Sequence, residues 1–240
     1  MLNVVTSELR AALRAERLKA LQQTKIYDLL AATPLIIWYG LCVSARTPVL
    51  VNQIAAMDRS TIDLAALAGL ASTLASLVFV TVLIGLLVLR DTPQARARGL
   101  MPRAAALAGT YLGVAIVMLP PIELSTQLNL TSTLLVVGGT VFALYSALRL
   151  GRSLSMMSEA RRLVTSGPYA VIRHPLYLGE GIALIGLTLQ FLSPWALLIL
   201  ALQCACQVAR MGNEERILAR VFPEYRTYMA HTARLVPYIY

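Results

Sequence analysis

LAALAGLASTLASLVFVTVLIGLLVL, residues 64–89, carries no charged side chain along its whole length. Wound as a helix at about 1.5 Å per residue, such a run reaches past the roughly 30 Å hydrocarbon core of a bilayer. Similar apolar runs recur on both sides of it. The chain has 240 residues, 58% of them hydrophobic and 14% charged, which is more apolar surface than a soluble domain of this size can hide. Lipid offers backbone groups no hydrogen-bond partners, so only helices or a closed barrel can cross it. The runs are continuous rather than alternating, which excludes a membrane β-barrel. The expected fold is an all-α integral membrane protein with about six transmembrane helices, at about residues 29–45, 64–89, 103–122, 131–149, 175–192 and 194–210.

The basic residues order these spans. Arg10, Arg14, Arg17, Lys19 and Lys25 lie in the N-terminal arm, four more fall in 90–103, five in 149–174 and five from Arg210 onward. The alternate connections hold only Arg46 and Arg59. The positive-inside rule therefore predicts cytoplasmic N- and C-termini, in the inner membrane if the protein is bacterial. The net charge of +9 follows from this topology and from contact with anionic membrane lipids, so no nucleic-acid partner is expected. Residues 1–28 lack the apolar core and cleavage site of a signal peptide and read as an interfacial arm. Residues 29–150 form a four-helix transmembrane region. Residues 151–240 carry a loop, a helical hairpin turned at Ser193-Pro194, and a cytoplasmic C-terminal helix. Gly109, Gly113 and Gly138-Gly139 suit close helix packing. Cys42, Cys204 and Cys206 sit in apolar segments and have neither disulfide nor zinc spacing, so no metal site is expected.

Polar residues are costly near lipid, and they become dense after Arg149. Residues 163–180 read LVTSGPYAVIRHPLYLGE: a Ser166-Gly167-Pro168 turn, then Tyr169, Arg173, His174, Pro175 at the first turn of a helix, and Tyr177. Aromatic faces, an imidazole and a guanidinium can surround a polar, partly aromatic cofactor, although an interfacial aromatic belt has the same composition. Glu180 lies one turn inside the fifth span, where a carboxylate needs a cavity or a cation. After the sixth span, Arg210 and Glu214 share a helical face, while Glu215 lies about 100° round it. A solvated cytoplasmic helix would also carry such residues.

Together these clusters resemble the isoprenylcysteine carboxyl methyltransferase family, marked by G-x-Y-x-x-x-R-H-P-x-Y-x-G, a short hairpin, R-x-x-x-E-E and F-x-x-Y-x-x-Y. Gly167, Tyr169, Arg173, His174, Pro175, Tyr177 and Gly179 stand in the first element, and Arg210, Glu214, Glu215, Phe222, Tyr225 and Tyr228 in the later ones. The likeness covers roughly residues 161–240. It implies a cytoplasmic pocket for S-adenosylmethionine, with S-adenosylhomocysteine as product, and a lipidic or prenylated acceptor entering from the bilayer. It also implies that Leu163, Val164, Tyr169, His174, Pro175, Tyr177 and Glu214 contact the cofactor and that Arg210 orients the acceptor. The hairpin differs by one residue from that of vertebrate members, which leaves Glu215 as an alternative cofactor contact.

An acceptor carboxylate held by Arg210 needs no general base, whereas an amine or thiol must lose a proton, for which Glu180, Glu214 or Glu215 is available. Carboxyl O-methylation of an isoprenylcysteine-like substrate is the leading expectation, and phospholipid N-methylation or small-thiol S-methylation are the alternatives. A sterol-type NADPH reductase shares the C-terminal cofactor placement but not the R-x-x-x-E-E signature. A non-enzymatic scaffold or transporter would lack these clusters or show paired broken helices.

Overall fold

The computed structural model describes Leu21 and residues 24–57, 64–97 and 99–237. Arg10, Arg14, Arg17 and Lys19 of the expected interfacial arm lie outside the described residues. Helix α1 spans Lys25–Ala55, α2 Leu64–Leu89, α3 Leu100–Tyr111 with a 3-10 extension Leu112–Met118, and α4 Thr126–Leu150. Helix α5 spans Pro175–Gln190, α6 Pro194–Val221 and α7 Tyr225–His231. Among the described residues, five helical stretches are long and apolar enough to cross a membrane: Lys25–Ala55, Ala66–Leu89, Leu100–Met118, Thr126–Ser153 and Pro194–Val221. The protein is an all-α, multi-pass membrane protein. At 16 residues, α5 reaches only about 24 Å and is shorter than the bilayer core.

The ends of these helices follow from local sequence. The Ser125 and Ser193 hydroxyls cap α4 and α6 by accepting from the backbone N–H groups of Leu128 and Ala196. Pro175 and Pro194 sit in the first turns of α5 and α6, where a missing N–H costs nothing. Pro120-Pro121 prevents the third span from continuing, and the chain leaves it extended at Leu119. Helix α1 starts at Lys25 rather than near residue 29, because Thr24 accepts from the Tyr27 N–H and starts the helix earlier than the apolar pattern does. Large apolar side chains face outward along these helices, as Leu134 does at 73% exposure, which in water would be an aggregating surface and in lipid is solvated.

Helix α4 packs most extensively on α5, α1 packs on α2, α2 on α4, and α3 on α6. The α4–α5 contact is made by glycine. A Cβ on Gly139 would stand 2.4 Å from the Ala183 nitrogen, one on Gly179 2.6 Å from the Ala143 nitrogen, and one on Gly186 2.7 Å from the Ser132 carbonyl oxygen. The Ser132 hydroxyl adds a bond of 2.8 Å to the Gly186 carbonyl.

One end of the bundle is knitted together by charge. Asp28, fully buried in the first turn of α1, receives Arg90 at 2.8 Å, Arg161 at 2.8 Å and Arg96 at 3.2 Å. Arg161 and Arg96 both pair with Glu159, at 2.6 and 3.2 Å. A short antiparallel ladder sets this register, with β1 (Ala95–Arg96) beside β2 (Glu159–Ala160) and Arg96 opposite Glu159. The chain after α7 returns to the stretch before α5, where Arg173 and His174 donate backbone N–H groups to the carbonyls of Ala233 and Arg234 at 2.9 and 3.1 Å.

Candidate functional site

The loop between α4 and α5 folds over the end of α6 and lines a partly open cavity of about 90 Å³. Gly167 places the loop: its φ of +64° is easy only for glycine, and the Arg149 side chain lies where a Cβ would go. The 3-10 turn Gly167–Ala170 that follows presents Tyr169 inward, and the N-terminus of α5 presents His174 and Tyr177.

Leu163, Val164, Tyr169, His174, Tyr177 and Glu214 all line this cavity. The Tyr177 hydroxyl donates to Glu214, and the His174 and Tyr177 rings stack at 5.5 Å. Pro175 is fully buried behind the wall, where it starts α5. Glu215 turns away from the cavity, with Arg173 and His174 at 2.9 and 3.2 Å from one carboxylate oxygen and Arg234 at 3.1 Å from the other. Of the two adjacent carboxylates, Glu214 faces the cavity and Glu215 ties the returning tail to α6.

Tyr225 and Tyr228, which belong to the motif without an assigned role, complete an aromatic side of the cavity, and the Tyr228 hydroxyl donates to the Tyr169 carbonyl at 2.6 Å. Burial pushes the Tyr228 phenol up to about 12, against the pull of nearby Arg173. Burial, aided by the nearby Glu214, also raises that of Tyr169 well above its ordinary value. Both phenols therefore remain donors at neutral pH. Ser153, Ser155, Glu159 and Arg161 form the opposite side and carry no signal in the sequence motif. Their only warning is a local run of polar side chains just upstream of it.

Three buried polar atoms on this wall have no hydrogen-bond partner among the described residues: Ser153 Oγ, Tyr169 Oη and Arg161 Nε. Orphaned buried polar atoms carry a penalty of about 1–3 kcal/mol each, and three of them belong to residues that line this cavity.

Arg210 lies behind this cavity, 3% exposed, with its guanidinium 4.9 Å from the Tyr177 ring centre. Gly109 of α3 makes the space, since a Cβ there would come within 2.7 Å of the arginine side chain. The guanidinium donates to Gln207 Oε1 at 3.2 Å and to the Met156 carbonyl at 3.1 Å. No carboxylate lies within ion-pair distance among the described residues. Gln207 in turn donates to Glu180 at 3.1 Å. Glu180 lines a second cavity of about 360 Å³ between α2, α4 and α5, together with Ser76, Phe79, Thr140, Leu184 and Leu187. Among the described residues no group of three His, Cys, Asp or Glu side chains is placed to hold a metal ion.

A polar cavity thus lies at one end of the helical bundle and a more apolar one within it. Residues 128–225, a stretch that holds most of α4, all of α5 and α6 and the intervening loop, match the family described as phospholipid methyltransferase. The cobalt-zinc-cadmium resistance protein CzcN of Cupriavidus metallidurans is 40% identical over 76 residues, which is 31% of this chain and 35% of that protein. The nickel-cobalt-cadmium resistance protein NccN of Alcaligenes xylosoxydans xylosoxydans is 36% identical over 80 residues, 33% of this chain and 38% of that protein. The chain thus matches little more than a third of the length of these curated relatives.

Proposed function

We propose that this protein transfers a methyl group from S-adenosylmethionine to a lipidic acceptor that enters from the bilayer, with both termini on the cytoplasmic side. The observation that carries this reading is Arg210, a buried guanidinium with no carboxylate in ion-pair contact among the described residues, which lies over Tyr177 of the polar cavity and reaches Glu180 of the apolar one through Gln207. A buried cation in that state is costly until an anion arrives. The residues of the polar cavity fit the cofactor: aromatic faces for its purine, Glu214 and Arg161 for its charged groups, and orphaned Ser153 and Tyr169 atoms for its polar edges. When bound, S-adenosylmethionine supplies an electrophilic methyl on sulfur.

The chain's own part is positioning. Arg210 offers a fixed fork to an acceptor carboxylate, and Gln207 and the Met156 carbonyl keep that fork oriented. The apolar walls around Phe79, Leu184 and Leu187 keep water from the acceptor chain. Carboxyl O-methylation of an isoprenylcysteine-like acceptor fits this best, since it requires no proton transfer. A phospholipid amine is the second reading, favoured by Glu180: its carboxylate faces the acceptor cavity, has Gln207 as its hydrogen-bond partner, and can take the proton an amine must lose. The family description points the same way.

The test is calorimetric titration of the purified protein in detergent with S-adenosylmethionine, S-adenosylhomocysteine and NADPH. Label transfer in lipid nanodiscs to a farnesylcysteine analogue, to phosphatidylethanolamine or to an alkyl thiol then follows. Binding of NADPH alone would replace the methyltransferase by a reductase. Arg210→Ala is expected to keep S-adenosylhomocysteine affinity while transfer falls by about 10²-fold, the scale of a misplaced reactant. A parallel loss of cofactor affinity would remove Arg210 from the acceptor site.

A further inference from the structure

Helix α1 packs on α2 and α3 on α6, and a cleft between α1 and α3 is left open to the side of the bundle. Two adjoining cavities of about 120 and 190 Å³ make up this cleft, and they share Ala31, Met157 and Glu159. Short side chains form its walls, Ala31 and Pro34 of α1 facing Ala106 and Thr110 of α3, and the α1 pair is exposed at the rim. At the far end Trp38 meets Tyr111 edge-on at 5.6 Å and closes it. From Pro102 to Tyr111 the cleft runs about 13 Å along α3, less than half of a bilayer core of roughly 30 Å.

The near end of the cleft is basic. Arg96 and Arg103 line it, with the Arg96 guanidinium 5.0 Å from the ring centre of Tyr27. Arg96 belongs to the Asp28 cluster, in which the two carboxylates of Asp28 and Glu159 face the three guanidiniums of Arg90, Arg96 and Arg161. Glu159 also lines the cleft, but both of its oxygens are taken, one by Arg96 and the other by Arg161 and the Ser155 hydroxyl at 2.7 Å. One positive charge is left over, and Lys25, which donates to the Arg90 carbonyl, adds to it. The side chain of Arg96 is 25% exposed against 6% for Arg90 and 0% for Arg161, so the surplus charge is presented in the cleft. Arg103 is exposed, has no hydrogen-bond or ion-pair partner among the described residues, and brings a second cation to the same end.

We propose that this cleft seats one anionic phospholipid, with its phosphate between Arg96 and Arg103 and the upper part of an acyl chain between α1 and α3. The match is one of charge and of polarity together. The basic end lies where α1 and α3 both begin, and the apolar walls run inward from it along the two spans. Basic pockets between transmembrane helices hold such headgroups in general. A lipid without net charge leaves the surplus unanswered, and a soluble anion leaves the apolar walls empty. The assignment rests on the membrane fold alone and is independent of the methyltransferase reading.

The test is the melting temperature of the full chain in detergent, titrated separately with phosphatidylglycerol, phosphatidylcholine and inorganic phosphate. A saturable rise with phosphatidylglycerol alone is expected, since a ligand that binds only the folded protein stabilises it by mass action. Arg96→Gln and Arg103→Gln are each expected to raise the midpoint of that titration by about fivefold or more, the scale of one basic residue at an anionic lipid surface. Ala31→Phe, which puts a ring into the wall shared by the two cavities, is expected to abolish the rise. Arg220→Gln removes an exposed guanidinium from the last turn of α6 and is expected to leave the midpoint where it was. No rise, an equal rise with phosphatidylcholine, an unchanged midpoint in Arg103→Gln, or an equal loss in Arg220→Gln overturns the site. An equal rise with inorganic phosphate gives the cations to a soluble anion and overturns the lipid. Arg103 holds no partner within the described residues, so Arg103→Gln and Ala31→Phe decide the matter if Arg96→Gln fails to fold.

Discussion

Glu215 divides its carboxylate among Arg173, His174 and Arg234, whereas its neighbour Glu214 accepts from Tyr177 and faces the polar cavity. Adjacent positions on a helix point about 100° apart, so the two carboxylates belong to different environments. Removing Glu215 leaves three cationic or basic groups facing one another. Glu215→Ala should therefore lower stability, toward the lower end of the about 3–5 kcal/mol seen for a broken buried pair, because its side chain is 15% exposed. Glu214→Gln should leave the melting temperature nearly unchanged and weaken S-adenosylhomocysteine binding. Thermal unfolding and titration of the same two preparations check both halves, and the reverse assignment of effects would exchange the roles of the two residues. The motif placed both side chains near the site, but the one-residue difference in the hairpin left their order open. The direction each takes is decided by Arg173 and Arg234, and Arg234 joins through a chain return that leaves no periodic trace in sequence.

Helices α4 and α5 approach so closely that backbone meets backbone at Gly139, Gly179 and Gly186. In lipid there is little hydrophobic gain in joining two apolar helices, and close van der Waals packing has to supply the association. Gly139→Ala should cost at least the roughly 1–3 kcal/mol of overpacking, because its methyl group meets the α5 backbone rather than a movable side chain. Gly138→Ala meets nothing within 4 Å and should be neutral, or stabilising by up to about 1 kcal/mol through helix propensity. Thermal melts of the two variants compare them directly, and equal destabilisation would refute the packing argument. The Gly138-Gly139 pair was legible as a close-packing site, but hydropathy is nearly uniform around such a helix and does not say which glycine faces a neighbour. The apolar runs were legible for the same reason that their ends were not: length and composition define a span, while Thr24, Ser125 and Pro120-Pro121 decide where each helix begins or stops.

The matched stretch 128–225 does not contain all that supports the polar cavity, because Asp28 of α1 holds Arg161 on its wall from 133 residues away. Interactions at that separation are invisible to spacing, and as a sequence Asp28 was only the last acid of an interfacial arm. The N-terminal half of the chain is therefore part of the site's mechanics as well as its anchor in lipid. Asp28→Asn keeps the shape of the side chain and removes the charge, so that Arg90, Arg96 and Arg161 would face one another around a neutral amide. The cost should be about 3–5 kcal/mol, the range for a buried ion pair that loses one partner. Asp91→Asn is the matched control, since its pair with Arg152 is largely exposed, at 36% and 68%, and such pairs contribute only about 0–1 kcal/mol. Denaturation in a mild detergent should place Asp28→Asn well below wild type and Asp91→Asn beside it. Because Arg161 loses its fixed orientation, S-adenosylhomocysteine affinity should fall in Asp28→Asn at temperatures where that variant is still folded, and remain intact in Asp91→Asn. If Asp28→Asn melts with wild type, the five-residue charge cluster is not what joins α1 to the cavity, and the apolar α1–α2 contact has to carry that coupling alone.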